Sequence, residues 1–94
     1  MQTIQEKLKN PNVTLIDVRS SQEFAMEQIP NSINIPVEQI QSRLSEIVKM
    51  STPVVLFCRS GARSGMALSF LQQAGLKDVC NGGSIYNLMP LIQN

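Results

Sequence analysis

Val54-Val55-Leu56-Phe57-Cys58-Arg59-Ser60-Gly61-Ala62-Arg63-Ser64-Gly65 is the stretch on which the reading of this 94-residue chain turns. Four apolar, partly β-branched residues after Pro53 read as a buried strand, and the cysteine stands where that strand stops. A Gly- and Arg-rich loop follows and runs into a helix expected over residues 64–74, with Ala67, Leu68, Phe70, Leu71 and Ala74 toward the core and Gly75 as its stop. A thiol at the carboxyl end of a strand, with a helix N-terminus behind it and two guanidiniums in its loop, sits in a positive field that favours the thiolate. Gly61 tolerates unusual dihedrals and the first turn of a helix leaves its amides unpaired, so the loop is expected to cradle an anion beside the sulfur.

Outward from this stretch, strand-like and helix-like segments alternate, the pattern of an α/β domain with a mainly parallel sheet. Toward the N-terminus the spacing predicts an amphipathic helix over residues 2–9 through Ile4 and Leu8, then a buried strand, Val13-Thr14-Leu15-Ile16-Asp17-Val18. Ser20-Ser21-Gln22-Glu23 has the spacing of a capping box, Phe24 supplies an apolar anchor, and Ile29-Pro30 ends that segment. Ser32-Ile33-Asn34-Ile35 reads as a short surface strand stopped by Pro36. Val37, Ile40, Leu44, Ile47 and Val48 fall at helical spacing and predict a helix over residues 37–49. Beyond Gly75, Lys77-Asp78-Val79-Cys80 reads as a last short strand, Asn81-Gly82-Gly83 as a tight turn, and residues 84–91 as a helix capped by Ser84.

Composition narrows the chemistry. Ninety-four residues make one domain, expected over 1–94, and at this size folding buries only about 60–65% of the unfolded surface. A net charge of +1, scattered Lys and Arg and 4% aromatics give neither a basic stripe nor stacking platforms, which argues against nucleic acid as a partner. No apolar run approaches the roughly 18 residues of a membrane span. The chain has no histidine, so Ser-His-Asp triads, Cys-His dyads and imidazole-bound metals are excluded, and its two cysteines form no Cys-x-x-Cys pair. Neither a metal nor an organic cofactor is expected. A reactive Cys58 fits a reducing compartment, and the residues from Met1 to Lys7 lack the apolar core of a signal peptide. We therefore expect a cytoplasmic monomer, or a periplasmic one if a leader has been removed.

The series Asp17-Val18-Arg19, Ile29-Pro30-Asn31-Ser32-Ile33-Asn34-Ile35-Pro36, Cys58-Arg59-Ser60-Gly61-Ala62-Arg63-Ser64 and Gly82-Gly83 resembles the single-domain rhodaneses, the thiosulfate sulfurtransferases. The resemblance spans nearly the whole chain and is most specific in the Cys58 loop. It implies a five-stranded, mostly parallel sheet with helices on both faces, and a cysteine that carries sulfur as a persulfide. The chain departs from the family where Glu27-Gln28 stands for the usual Gly-His, Asn31 for a common glycine and Asn87 for a frequent tryptophan.

Thiosulfate presents a weakly held outer sulfur and an anionic leaving group, so its use needs a ready thiolate and cations for the sulfonate. Cys58 is the expected nucleophile, Arg59 and Arg63 the expected anion holders, and Ser60, Gly61, Ala62 and Ser64 contribute loop and helix-start donors. Asp17 and Arg19 end a neighbouring strand and are expected to hold the loop's shape, with Asp17 within reach of a loop arginine; Glu23 reads as a cap and Cys80 as packing. The acceptor is expected to be cyanide or a thiol, and a desulfurase persulfide is an equally possible donor. A phosphatase or arsenate-reducing enzyme also places Cys and Arg ahead of a helix, with five residues between them; here four intervene between Cys58 and Arg63. A non-catalytic module on the same fold is expected to lack the cysteine or the basic loop, and both are present.

Overall fold

The computed structural model describes residues 2–92; residues 1, 93 and 94, the ends of the expected domain, lie outside the described residues. The run Val54–Cys58 forms β3, and all five of its residues are buried. It is interior because β1 (Thr14–Asp17) lies on one side and β4 (Val79–Ser84) on the other, while β2 (Ile33–Asn34) forms the far edge beyond β1. The order is β2-β1-β3-β4 and every pairing is parallel. A strand flanked on both edges and covered on both faces has no position for a polar side chain, which accounts for the unbroken apolar run.

The period of two along β3 sorts its side chains between two cores. Val54, Leu56 and Cys58 face the side where Ala67 and Leu71 of α4 (Ala62–Gln73) pack with Ile40 and Ile47. Val55 and Phe57 face the other, with Ile85 and Leu88 of α5 (Ile85–Ile92), and Ile4 and Leu8 of α1 (Ile4–Lys9) pack against that cluster. Helices thus cover both faces, as expected. Each fully buried Val, Leu or Phe here stabilises the fold by about 1.5–3 kcal/mol.

The described residues form four strands where the resemblance implies five. The segment ahead of β1 is committed to helix by a second capping box, in which the Glu6 amide donates to the Thr3 hydroxyl at 3.1 Å and the Thr3 amide to the Glu6 carboxylate at 3.1 Å. Residues 4–9 are thereby taken up by helix and not by a further strand.

The helix expected over residues 37–49 is instead two 3₁₀ turns, Val37–Gln39 and Gln41–Arg43, and a single α turn, α3 (Leu44–Ile47). The Val37 amide donates to the Val18 carbonyl at the end of β1, which pins the entry, and three-residue turns then bring Ile40 and later Ile47 onto the sheet. Val48, expected inward, is 36% exposed for the same reason. In α4, Ala67 and Leu71 are buried and Leu68 and Phe70 pack against the core, but Ala74 is exposed at the helix end. The helix begins at Ala62, two residues before the expected start, and Gly75 at φ 99° stops it.

Two of the departures from the family's usual residues find their place. Ile29-Pro30-Asn31-Ser32 closes a turn through the Ser32 amide and the Ile29 carbonyl at 3.1 Å, with Asn31 at φ 70°, a backbone state asparagine tolerates better than most residues and glycine adopts freely. Glu27 supplies the carbonyl that Arg19 reaches. No helix of the described residues is long and apolar enough to cross a membrane.

Candidate active site

Parallel strands leave their carboxyl ends at one edge of the sheet, where open α/β sheets bind ligands. Cys58 at the end of β3, Asp17 at the end of β1 and Ser84 at the end of β4 meet there, paired through Asp17 with Phe57 and Cys58 with Ser84. Cys58 is 1% exposed, while Arg59 and Ser60, the next two residues, are exposed, so the sulfur lies on the floor of the loop and these two on its rim.

The loop closes around the sulfur through its backbone. Gly61 adopts φ 96°, which turns its amide onto Sγ at 3.0 Å, and the Ser64 amide from the first turn of α4 points at Sγ from 3.5 Å. The Ser64 hydroxyl lies 3.4 Å from the same sulfur. Burial pushes the Cys58 thiol up, but the Ser64 hydroxyl and the amides of Ser64, Gly61 and Ser60 together outweigh it, and the thiol lies below its ordinary value. The field expected from the guanidiniums is therefore carried mainly by the loop amides and the Ser64 hydroxyl. Ser60 accepts from the Ala62 amide at 3.4 Å and rigidifies the rim.

The charged residues separate into three roles. Asp17, fully buried, pairs with Arg19 of its own strand end at 2.8 Å and forms no ion pair with a loop arginine, contrary to expectation; Arg19 also donates to the Glu27 carbonyl, joining β1 to the exit of α2 (Ser21–Met26). Arg63 donates through both terminal nitrogens to the Glu23 carboxylate at 2.7 and 3.1 Å. Glu23 does cap α2, accepting from the Ser20 amide at 2.9 Å, but the same carboxylate also ties α2 to α4. Arg63, then Ser20, hold the Glu23 carboxyl down at about 2. Arg59 has no side-chain hydrogen bond or ion pair among the described residues. It lines a cavity of about 430 Å³ with Arg19, Glu23, Met26, Glu27 and Tyr86.

Asn81, expected in a tight turn, is a site residue that sequence reasoning missed. Asn81-Gly82-Gly83 continues β4, and the register slips by one residue there, Asn81 pairing with Leu56 and Gly83 with Phe57. Gly82 occupies the bulge, where a Cβ would stand 2.8 Å from Val55 Cγ1. The bulge aims Asn81 at the Cys58 loop, its side-chain amide donating to the Gly61 carbonyl at 3.0 Å and its oxygen accepting from the Ser64 hydroxyl at 2.7 Å. A Gly-Gly pair after a strand is the one sequence signal of such a bulge, and it reads equally well as a turn. Cys80 is half-buried beneath α1, as packing predicts.

The geometry has counterparts in known proteins. The rhodanese-like domain family model matches residues 1–83. A sulfurtransferase of Allochromatium vinosum is 43% identical over 76 residues, covering 79% of this chain and 70% of that protein. The thiosulfate sulfurtransferase PspE of Escherichia coli is 30% identical over 80 residues, covering 83% and 77%. Among solved structures, a rhodanese with anions from E. coli superposes with a TM-score of 0.74 at 28% identity, covering 82% of this chain and 92% of the other. By the match along its length and by its four-stranded parallel sheet with a cysteine loop at the carboxyl edge, the chain belongs to the rhodanese-like domain family.

Proposed function

We propose that this protein is a sulfurtransferase that moves the outer sulfur of thiosulfate, or of a related persulfide donor, through Cys58 to cyanide or a thiol. The observation that carries this reading is the ring of donors around one buried sulfur, with Gly61 and Ser64 amides on Sγ and a rim only one residue away. The Cys58 thiolate attacks the outer sulfur of thiosulfate; an S–S bond forms to Cys58, the bond to the sulfonate sulfur breaks, and its electron pair leaves with sulfite. The acceptor thiolate or cyanide then attacks the terminal sulfur, and the pair of the broken S–S bond returns to Cys58 as thiolate.

Arg59 is the cation that meets the sulfonate, since it stands exposed at the rim without a partner among the described residues. Arg63 reaches the same anion only by sharing or leaving Glu23, so its larger share of work is to fix the loop against α2. Asp17 and Arg19 brace the floor of the site. With Cys58 1% exposed, a donor that inserts one sulfur atom fits better than a tetrahedral phosphate, which must bring its phosphorus within attack distance; the four-residue span between Cys58 and Arg63 argues the same way. The reaction as written needs one domain, no metal and no organic cofactor.

The test is intact mass. Incubation with thiosulfate should add one sulfur atom to the protein, cyanide should remove it with release of thiocyanate, and aryl phosphates should be left unhydrolysed. Phosphatase turnover that depends on Cys58 and exceeds thiocyanate release would overturn the proposal.

A further inference from the structure

The hydrogen bonds behind the loop contain a conflict over one proton. The Asn81 amide is fixed in orientation, because Oδ1 accepts from the Gly83 amide at 2.8 Å, a group that can only donate, and Nδ2 donates to the Gly61 carbonyl at 3.0 Å, a group that can only accept. The Ser64 oxygen 2.7 Å from Oδ1 must therefore turn its hydroxyl proton toward Asn81. Ser64 is fully buried, so no water competes for its position. With that proton spent, the oxygen presents lone pairs to Cys58 Sγ at 3.4 Å. This suits a thiol, which donates its S–H to Ser64, but it sets lone pairs against a thiolate.

We propose that Asn81 is a positioning residue that competes with Cys58 for the Ser64 hydroxyl proton, and that the hydroxyl turns from Asn81 Oδ1 to the sulfur when the thiol ionises. The S–H proton leaves to solvent, the Ser64 proton stays on its own oxygen, and no covalent bond other than S–H is broken. The turn leaves no buried acceptor orphaned, since Oδ1 keeps the Gly83 amide. The charged groups around Cys58 stay fixed throughout: Arg59 and Arg63 in the loop, Glu23 on α2 against Arg63, and the Asp17–Arg19 pair at the end of β1; β4 brings Asn81 and Ser84 and no charge. The inference rests on Cys58 being the nucleophile, but not on which donor it uses.

The measurement is the pH midpoint of Cys58 alkylation by iodoacetamide, followed by mass on the Cys58 peptide, in the parent, Asn81→Ala, Ser64→Ala and the double variant. Freeing the hydroxyl in Asn81→Ala should lower the midpoint, giving about threefold more thiolate at a fixed pH below it. Ser64→Ala should raise the midpoint, and adding Asn81→Ala to it should change nothing further. A purely structural clamp predicts the opposite sign, because a loosened loop withdraws the Gly61 amide from sulfur. A raised midpoint in Asn81→Ala, or an equal shift with and without Ser64, overturns the proposal. On the unmodified protein the Gly83 amide and Asn81 side-chain NMR resonances should move with the alkylation midpoint. If they stay still through it, the proposal fails even where a variant does not fold. Neither readout uses a sulfur donor, so a failure here is separate from a failure of sulfur transfer.

Discussion

Cys58 and Cys80 stand on neighbouring parallel strands, Cys80 in register with Val55 and Cys58 three residues further along β3, yet their chemistry diverges. Both are withdrawn from water. Around Cys80, half-buried against the second core, burial pushes the thiol up, and Lys7 offsets only part of this. Around Cys58, burial acts in the same direction but the Ser64 hydroxyl and the loop amides reverse it. Donors can hold a buried thiol below its ordinary value where the backbone runs out of sheet partners and its amides are free to turn inward, as at the carboxyl end of β3 and not near the start of β4.

The sharpest test of this contrast exchanges each sulfur for oxygen. Cys58→Ser should abolish thiocyanate formation, because a serine hydroxyl has no anionic form near neutral pH, while Cys80→Ser should keep activity within about twofold of the parent. Residual turnover in the first, or a larger loss in the second, would break the assignment.

The next test separates the loop's backbone from backbone strain in general. Gly61 and Gly75 share nearly the same positive φ, 96° and 99°, but only Gly61 aims an amide at sulfur. A side chain in this region costs about 1–2 kcal/mol of stability at either position. Gly61→Ala should in addition lower kcat/KM by roughly 10²-fold through a misplaced donor, whereas Gly75→Ala should only lower the melting temperature. Equal activity in the two variants would remove the amide cradle from the mechanism.

The two loop arginines sharpen the picture further. Arg59→Ala should weaken thiosulfate use by about 1–3 kcal/mol in kcat/KM with an unchanged melting temperature, and added salt should mimic it. Arg63→Ala should lower activity and melting temperature together, because it also releases Glu23 and uncouples α2 from α4. A stability loss in Arg59→Ala, or none in Arg63→Ala, reverses the two roles.

The smallest effect lies in the Glu23–Arg63 pair itself. Its side chains are 30% and 35% exposed, so solvent screening limits it to about 1 kcal/mol or less. Glu23 titrates near 2 when folded against an ordinary 4.5, so its contribution is complete above about pH 4.5 and lost as pH falls through about 2. Stability curves of the parent and Glu23→Gln should differ at about pH 6, draw together as pH falls through about 2 and converge below it; a gap that does not narrow on this descent means that the carboxylate's charge is not what stabilises the pair.

From the sequence alone, the strand–cysteine–loop–helix unit, the alternation that makes an α/β sheet, the Ser20–Glu23 capping box and the resemblance to rhodaneses were all legible. They are local, in that apolar period, caps and turn residues act within a few positions of chain. Tertiary structure decided the rest. Whether Asn81-Gly82-Gly83 turns or bulges depends on the register of β4 against β3, and the breaking of the residue 37–49 helix depends on a hydrogen bond from Val37 to the end of β1. The partner of Arg63 is 40 residues away on α2, and the acceptor of the Ser64 proton is 17 residues away on β4. Residue type declares that a guanidinium will pair or that a hydroxyl will donate, but the choice among partners is made by which chain ends the parallel sheet gathers at one edge.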